Sequence, residues 1–225
     1  MSQRAPLTRE RVVRAAISLA DNSGIEAVSM RKLAKELGVE AMSLYNHVSN
    51  KGDLVDAMLD LVVREIELPS DPDWETAIRT CAISAYETFM RHPWACSLVM
   101  APRTLRLEDN PRLRYMEWLL GRLDGAGFSA ELTYRAYHAL DSHIFGFTMW
   151  HLGHSAGGDD NTGGLPPEEF VATLVPRLTA GGYPHLAEHA EQHVSAPWRE
   201  NPREFEFGLD LILDGLKQAL DSSSV

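Results

Sequence analysis

Residues 28–51 read VSMRKLAKELGVEAMSLYNHVSNK, and this stretch decides the fold. Met30, Leu33, Ala34 and Leu37 recur at i, i+3, i+4 and i+7, the spacing of one apolar stripe on a helix. Ser29 precedes the stripe, where its hydroxyl can accept from an orphan amide of the first turn. Gly38 follows Leu37, where a left-handed residue ends a helix. A second helix restarts near Ala41. It carries Leu44 and Val48 inward and Ser43, Asn46 and His47 outward. This second helix is too short and too polar to serve as core. A helix, a glycine turn and a short helix with a polar outer face form a helix-turn-helix, spanning about residues 29–48. Such a unit presents its second helix to the major groove of DNA.

The flanking sequence extends this head. A first helix is predicted over 8–21, with Thr8 as its N-cap and Val13, Ala16, Ile17 and Ala20 as its stripe. Arg11 stands where the acid of a capping box would sit, so the box is incomplete. Asn22, Ser23 and Gly24 stop the helix. A fourth, connecting helix runs over 51–67 through Leu54, Ala57, Met58, Leu61 and Val62. Two prolines and two aspartates in 68–73 then break the chain.

Charge separates the two ends. The chain of 225 residues carries a net −11, yet the segment through Gly52 holds eight Lys/Arg against five acids, a net of +3 that leaves −14 for the rest. A basic head on an acidic body fits contact with phosphates at one end only. The acidic body repels long DNA contacts, which disfavours a non-specific DNA-organising protein. Cys81 and Cys96 have no metal-type spacing and suggest no disulfide framework. The N-terminus lacks an apolar secretory segment and no apolar run reaches a membrane span. A cytoplasmic protein without a bound cofactor is the expectation.

Beyond residue 74 the periodicity stays helical. Helices are predicted over 74–91, ending before Pro93, then over 111–125, 130–152, 167–178, 184–193 and 202–220. The last has Phe205, Leu209, Ile212, Leu213, Leu216 and Leu220 on one side. Residues 155–167, SAGGDDNTGGLPP, read as a flexible acidic loop. The fold class is therefore all-α, with residues 1–67 as a DNA-binding head plus connecting helix and 74–225 as a larger helical body.

These residues resemble the TetR family of transcriptional repressors. Leu33-Ala-Lys-Glu-Leu-Gly-Val39, Leu44-Tyr45 and Lys51 match the core of its DNA-binding domain. Met30-Arg-Lys-Leu-Ala34, Gly38-Val-Glu40, Leu44-Tyr-Asn-His-Val48 and the last helix from Phe205 to Leu216 are closest to the tetracycline-responsive branch. The resemblance implies a homodimeric repressor on a palindromic operator, released by a small effector. By matching position, Arg31 reads a guanine, for which a guanidinium is suited through O6 and N7. Tyr45 and Lys51 hold phosphates, and Ser43 and His47 face the major groove or its edge. Lys51 opposes the dipole of the helix that it starts, so a phosphate contact gives it a reason to be there. Where the tetracycline-responsive branch has Gln, Pro and Trp, this chain has Ala41, Met42 and Asn46, so its operator differs. No histidine lies between Ser97 and Arg106, near where that branch places its chelating histidine. Recognition of a tetracycline–magnesium complex is therefore not implied.

Two features of the body bear on ligands. Met90, Trp94, Met100, Met116, Trp118, Phe128, Phe145, Phe147, Met149 and Trp150 suggest an apolar effector pocket between helices. The helices 130–152 and 202–220 carry apolar faces that a monomer would leave bare, and are expected to form a four-helix dimer interface. The rival reading rests on His138, His143, His151 and His154. His151 and His154, at i and i+3 with Asp141 nearby, have the spacing of two metal ligands in a metal-dependent hydrolase. No carboxylate motif accompanies them, so neither an enzyme nor a metal site is expected.

Overall fold

The structure, a computed structural model, describes residues 6–101, 109–156, 165–195 and 203–223. Helices α1 (Arg9–Ser23), α2 (Met30–Leu37), α3 (Ala41–Leu44) and α4 (Lys51–Val63) form the head and its connector. The body comprises α5 (Trp74–Arg91), α6 (Pro93–Met100), α7 (Pro111–Gly125), α8 (Ala130–Ala156), α9 (Pro167–Ala180), α10 (Pro184–Ser195) and α11 (Arg203–Ser223). No strand occurs among the described residues.

The helix boundaries follow from local chemistry. Thr8 Oγ1 accepts from Arg11 N at 3.2 Å and Ser29 Oγ from Lys32 N at 3.3 Å. Asn50 Oδ1 accepts from Asp53 N at 2.9 Å. Each bond satisfies one amide that the first helical turn leaves without a partner. Gly38, at φ 64°, closes α2 in the left-handed conformation. Val12, Val13, Ala16, Leu33, Ala34, Leu44, Val48, Leu54 and Met58 are buried together as the core of the head.

Several boundaries differ from the sequence reading. The connecting helix ends at Val63 and not at residue 67. Glu65 N and Ile66 N donate to carbonyls three residues back, which tightens the last turn, and Glu67 N leaves it to donate to Ser84 Oγ on α5. Pro93 both ends α5 and begins α6, a helix that the periodicity did not reveal. Proline is favoured at the first helical position, where its missing N–H would lack a partner anyway. Helix α8 continues to Ala156, past the expected residue 152. Residues 157–164, most of the expected acidic loop, lie outside the described residues.

Helix α5 is the axis of the body. It packs against α6, α7, α8 and α11, while α9 and α10 pack on each other. Phe205 of α11 stacks on Tyr86 at 4.4 Å, and Phe89 meets Phe145 of α8 at 5.3 Å. Arg79 ties α5 to Glu206 and Asp210 of α11. At the α8–α11 crossing, a Cβ on Gly208 would fall 2.5 Å from the His143 ring, so only glycine allows this approach. Cys81 and Cys96 are buried free thiols, and burial pushes the Cys96 thiol up to about 11.

Candidate nucleic-acid interface and ligand pocket

The recognition element is smaller than a regular helix. Helix α3 is one turn, Ala41–Leu44, and the chain continues with His47 N and Val48 N both bonded to the Leu44 carbonyl. Leu44 and Val48 are fully buried beneath it, as their spacing predicts. Above them Met42 is 75% and Tyr45 45% exposed, so Tyr45 is not core. Asn46, Arg31 and Lys51 are exposed too, whereas Ala41, Ser43 and His47 are half-buried. Ala41 packs partly against the core, and Ser43 Oγ donates to the Glu40 carbonyl at 2.6 Å. Arg31, Lys32 and Lys51 form no ion pair among the described residues, so their charges are available to an outside anion.

A clamp that the sequence reading missed fixes this element. Arg9 Nη1 donates to the His47 carbonyl at 2.8 Å, and its Nη2 to Asp53 Oδ1 at 2.9 Å. Asp53 Oδ2 also accepts from Ser49 N at 2.8 Å. One arginine on α1 thus binds the end of the recognition element to the start of α4. Arg9 beside it holds the Asp53 carboxyl down at about 2. Asp53→Ala is expected to cost about 1–2 kcal/mol of head stability, since Arg9 and Ser49 both lose an acceptor. The carboxyl lies below its usual 3.8 in the folded protein. Its contribution is therefore present above pH 4 and lost as the pH falls toward 2. Urea titrations followed by circular dichroism should show the gap between variant and wild type closing over that window.

Behind the head lies a cavity of about 850 Å³, part of it open to solvent. Val63 at the end of the connector and Ile66 just beyond it line it, with Phe89 of α5, Val99 and Met100 of α6, Met116 of α7, and Ile144 and Phe145 of α8. Its polar groups are Asn110, Arg112, Tyr115, Tyr137 and Asp141. Of the residues expected to line a pocket, Met100, Met116 and Phe145 do, and the others lie elsewhere. Met90 is half-buried outside the lining. Trp94 is buried at the junction with the head. Trp118 Nε1 donates to the Pro69 carbonyl at 3.1 Å, and Phe128 sits edge-on to Trp74. Phe147 packs among Tyr86, His143 and Phe205, while Met149 and Trp150 are exposed on α8. Aromatic and Met content marks where an apolar body is dense, not which side chains border a void.

Two elements join the cavity to the head. The connector α4 runs from beneath the recognition element to the cavity wall. Helix α6 does so as well, because its far end lines the cavity and its first turn bonds α1. There Asp21 Oδ1 accepts from Trp94 Nε1 at 2.7 Å and lies 2.9 Å from His92 Nδ1. The His92 ring lies between Asp21 and Glu65, whose Oε2 is 3.4 Å from its Nε2 and also accepts from Arg91.

The histidines do not converge. The His138 ring bonds the Tyr134 carbonyl, His143 donates to the Phe205 carbonyl at 2.8 Å, and His151 bonds the Tyr86 hydroxyl at 2.8 Å. The side chain of His154 lies outside the described residues. Among the described residues no group of three His, Cys, Asp or Glu is placed to hold a metal ion. The rival hydrolase reading finds no support in this arrangement.

A helix-turn-helix head coupled through two helices to a body with an internal cavity defines a ligand-responsive DNA-binding regulator. Residues 12–58 match the profile of bacterial regulatory proteins of the tetR family, and residues 68–220 that of the tetracyclin repressor-like C-terminal domain. The chain belongs to the tetR family. The transcriptional repressor DrrR1 of Streptomyces coeruleorubidus is 34% identical over 218 residues, covering 94% of this chain and 77% of that one. The class D tetracycline repressor protein of Escherichia coli is 29% identical over 175 residues, covering 76% and 78%. Streptomyces coelicolor ActR in complex with actinorhodin superposes with a TM-score of 0.69 at 28% identity, covering 96% of this chain and 99% of that one.

Proposed function

We propose that this chain is a cytoplasmic, non-enzymatic repressor that binds a near-palindromic operator as a homodimer and leaves it when a small apolar or aromatic effector enters the cavity. The observation that carries this reading is the cavity's position, walled by the end of the same helix whose start supports the recognition element. Residues 1–67 act as the DNA-binding unit and 74–225 as the effector and dimerisation unit. Arg31 reads a guanine, Tyr45 and Lys51 hold phosphates, and Met42, Ser43, Asn46 and His47 face the groove, Ala41 least of all. Met42 offers only an apolar contact, for instance to a thymine methyl. Tyr134 and Met149 on α8 and Phe207 and Leu211 on α11 are exposed apolar side chains. They supply the surface for a second copy, which would place two heads about 34–36 Å apart.

The effector must favour the arrangement that does not fit DNA, or it shifts nothing. Filling the cavity pushes on Val63 of the connector, on Ile66 just beyond it, and on Val99 and Met100 of α6. Both paths end on the head, the second through Trp94 and Asp21. A coupling of about 1–3 kcal/mol is typical of such linkage and weakens operator binding roughly 5- to 150-fold. That a similar protein, ActR, holds actinorhodin supports a small-molecule effector for this body. Arg31→Ala is expected to lower operator affinity by about 1–3 kcal/mol and relax preference at one base pair. The dimer should stay intact by sedimentation. An unchanged footprint titration would remove Arg31 from the interface.

A further inference from the structure

The cavity wall carries one acid, Asp141, in a lining that is mostly apolar but also holds Asn110, Arg112, Tyr115 and Tyr137. Asp141 Oδ1 accepts from the Tyr115 hydroxyl at 2.8 Å, and Tyr137, one turn earlier on the same face of α8, also lines the cavity. Burial pushes the carboxyl above its ordinary value, and the two tyrosine hydroxyls oppose that rise. Cys81, with its buried thiol, and His138, whose ring bonds the Tyr134 carbonyl, are the other titratable groups whose charge bears on this cluster. Asp141 forms no ion pair with a lysine or arginine among the described residues.

Such an acid is a poor choice for folding alone. Asp141 is half-buried, and a carboxylate partly withdrawn from water without a cation is costly, a cost that one phenol offsets only in part. A leucine or asparagine of similar size would fill the wall more cheaply. A carboxylate offers about four acceptor positions, and the Tyr115 hydroxyl occupies one of them. The rest are available on a wall that the apolar side chains of Phe89, Met116, Ile144 and Phe145 also line. The Tyr115 hydroxyl holds the carboxylate in place before a ligand arrives, so little order is lost on binding.

We propose that the effector is an apolar, ring-bearing cation, a lipophilic amine, whose ammonium group pairs with the Asp141 carboxylate while its body packs against Phe89, Met116 and Phe145. The ammonium supplies the charge that the fold leaves out, and the rings of Tyr115 and Tyr137 add faces that favour a cation. Arg112 also lines the cavity and would favour an anion instead, so ligand charge separates the two possibilities. This inference rests on the reading that the cavity is the effector site.

Three probes on one scaffold test it: 9-(aminomethyl)anthracene, 9-anthracenemethanol and anthracene-9-carboxylate, titrated into the full-length protein by fluorescence. The amine should bind on the order of tenfold or more tightly than the alcohol, and the carboxylate weakest. In Asp141→Asn the preference for the amine should vanish while the alcohol binds within about threefold of its wild-type affinity. Equal or tighter binding of the carboxylate or alcohol by the wild-type protein overturns the proposal without any variant. An undiminished amine preference in a folded Asp141→Asn protein overturns it too. A parallel operator titration keeps the two readings apart. Sequence-specific DNA binding without a charge preference rejects only the amine. An amine preference without DNA sequence preference rejects the repressor.

Discussion

Leu44→Ala is expected to destabilise the head by about 2–5 kcal/mol and to abolish operator binding while the dimer persists. Helix α3 is one turn long, and Glu40 at its start gives it no side-chain cap. A helix this short has no stability of its own. Its position depends on buried Leu44 and Val48, on the left-handed Gly38 turn and on the bond from Arg9 to His47. Leu44 is 0% exposed, so truncating it leaves a void under the residues proposed to meet DNA. The loss should appear in a urea titration by circular dichroism and as lost operator binding by anisotropy. Wild-type affinity in this variant would mean that packing does not hold the recognition element.

Phe89→Ala is expected to cost about 3–5 kcal/mol, the largest effect of any single substitution considered. Phe89 is buried, packs on Phe145 across the α5–α8 contact and borders the cavity. Removing the ring deletes an inter-helix contact and enlarges the cavity at once. The body should therefore melt earlier, and probes that fit the wild-type cavity should bind less tightly because one wall is gone. Thermal unfolding by circular dichroism checks the first effect and probe titration the second. A loss below about 1 kcal/mol would mean that the bundle collapses into the space, which close-packed interiors do only in part.

The head was legible in the sequence because its signals are local. Thr8, Ser29 and Gly38 act within a turn of themselves, and Leu33, Leu44 and Val48 repeat at the period of the helix they occupy. The outward face of Asn46 followed from the same periodicity, whereas Ser43 and His47 are only half-exposed and the roles of Tyr45 and Lys51 came from the family resemblance. The Arg9–Asp53 clamp was not legible, since its partners are 44 residues apart and either charge alone reads as ordinary surface. The pocket was legible only as a class. Met100, Met116 and Phe145 border it, but Trp94 and Trp118 point their N–H groups at Asp21 and Pro69 instead. Tyr137 and Asp141 share a face of α8 at i and i+4, but nothing local to them marked the void they border, and Asp141 was read only beside the histidines. Helix α6 was missed because Pro93 was read as a stop, although the same residue starts a helix.

The central claim is that the head reads a two-fold symmetric DNA sequence. Selection of the full-length protein on a random duplex library at about 150 mM salt, where loose charge contacts are screened, tests it without prior choice of target. Sequencing of the bound fraction should return inverted half-sites centred about one helical turn apart, bound with an affinity well above that for the unselected library. A bound fraction with no enriched sequence would contradict it.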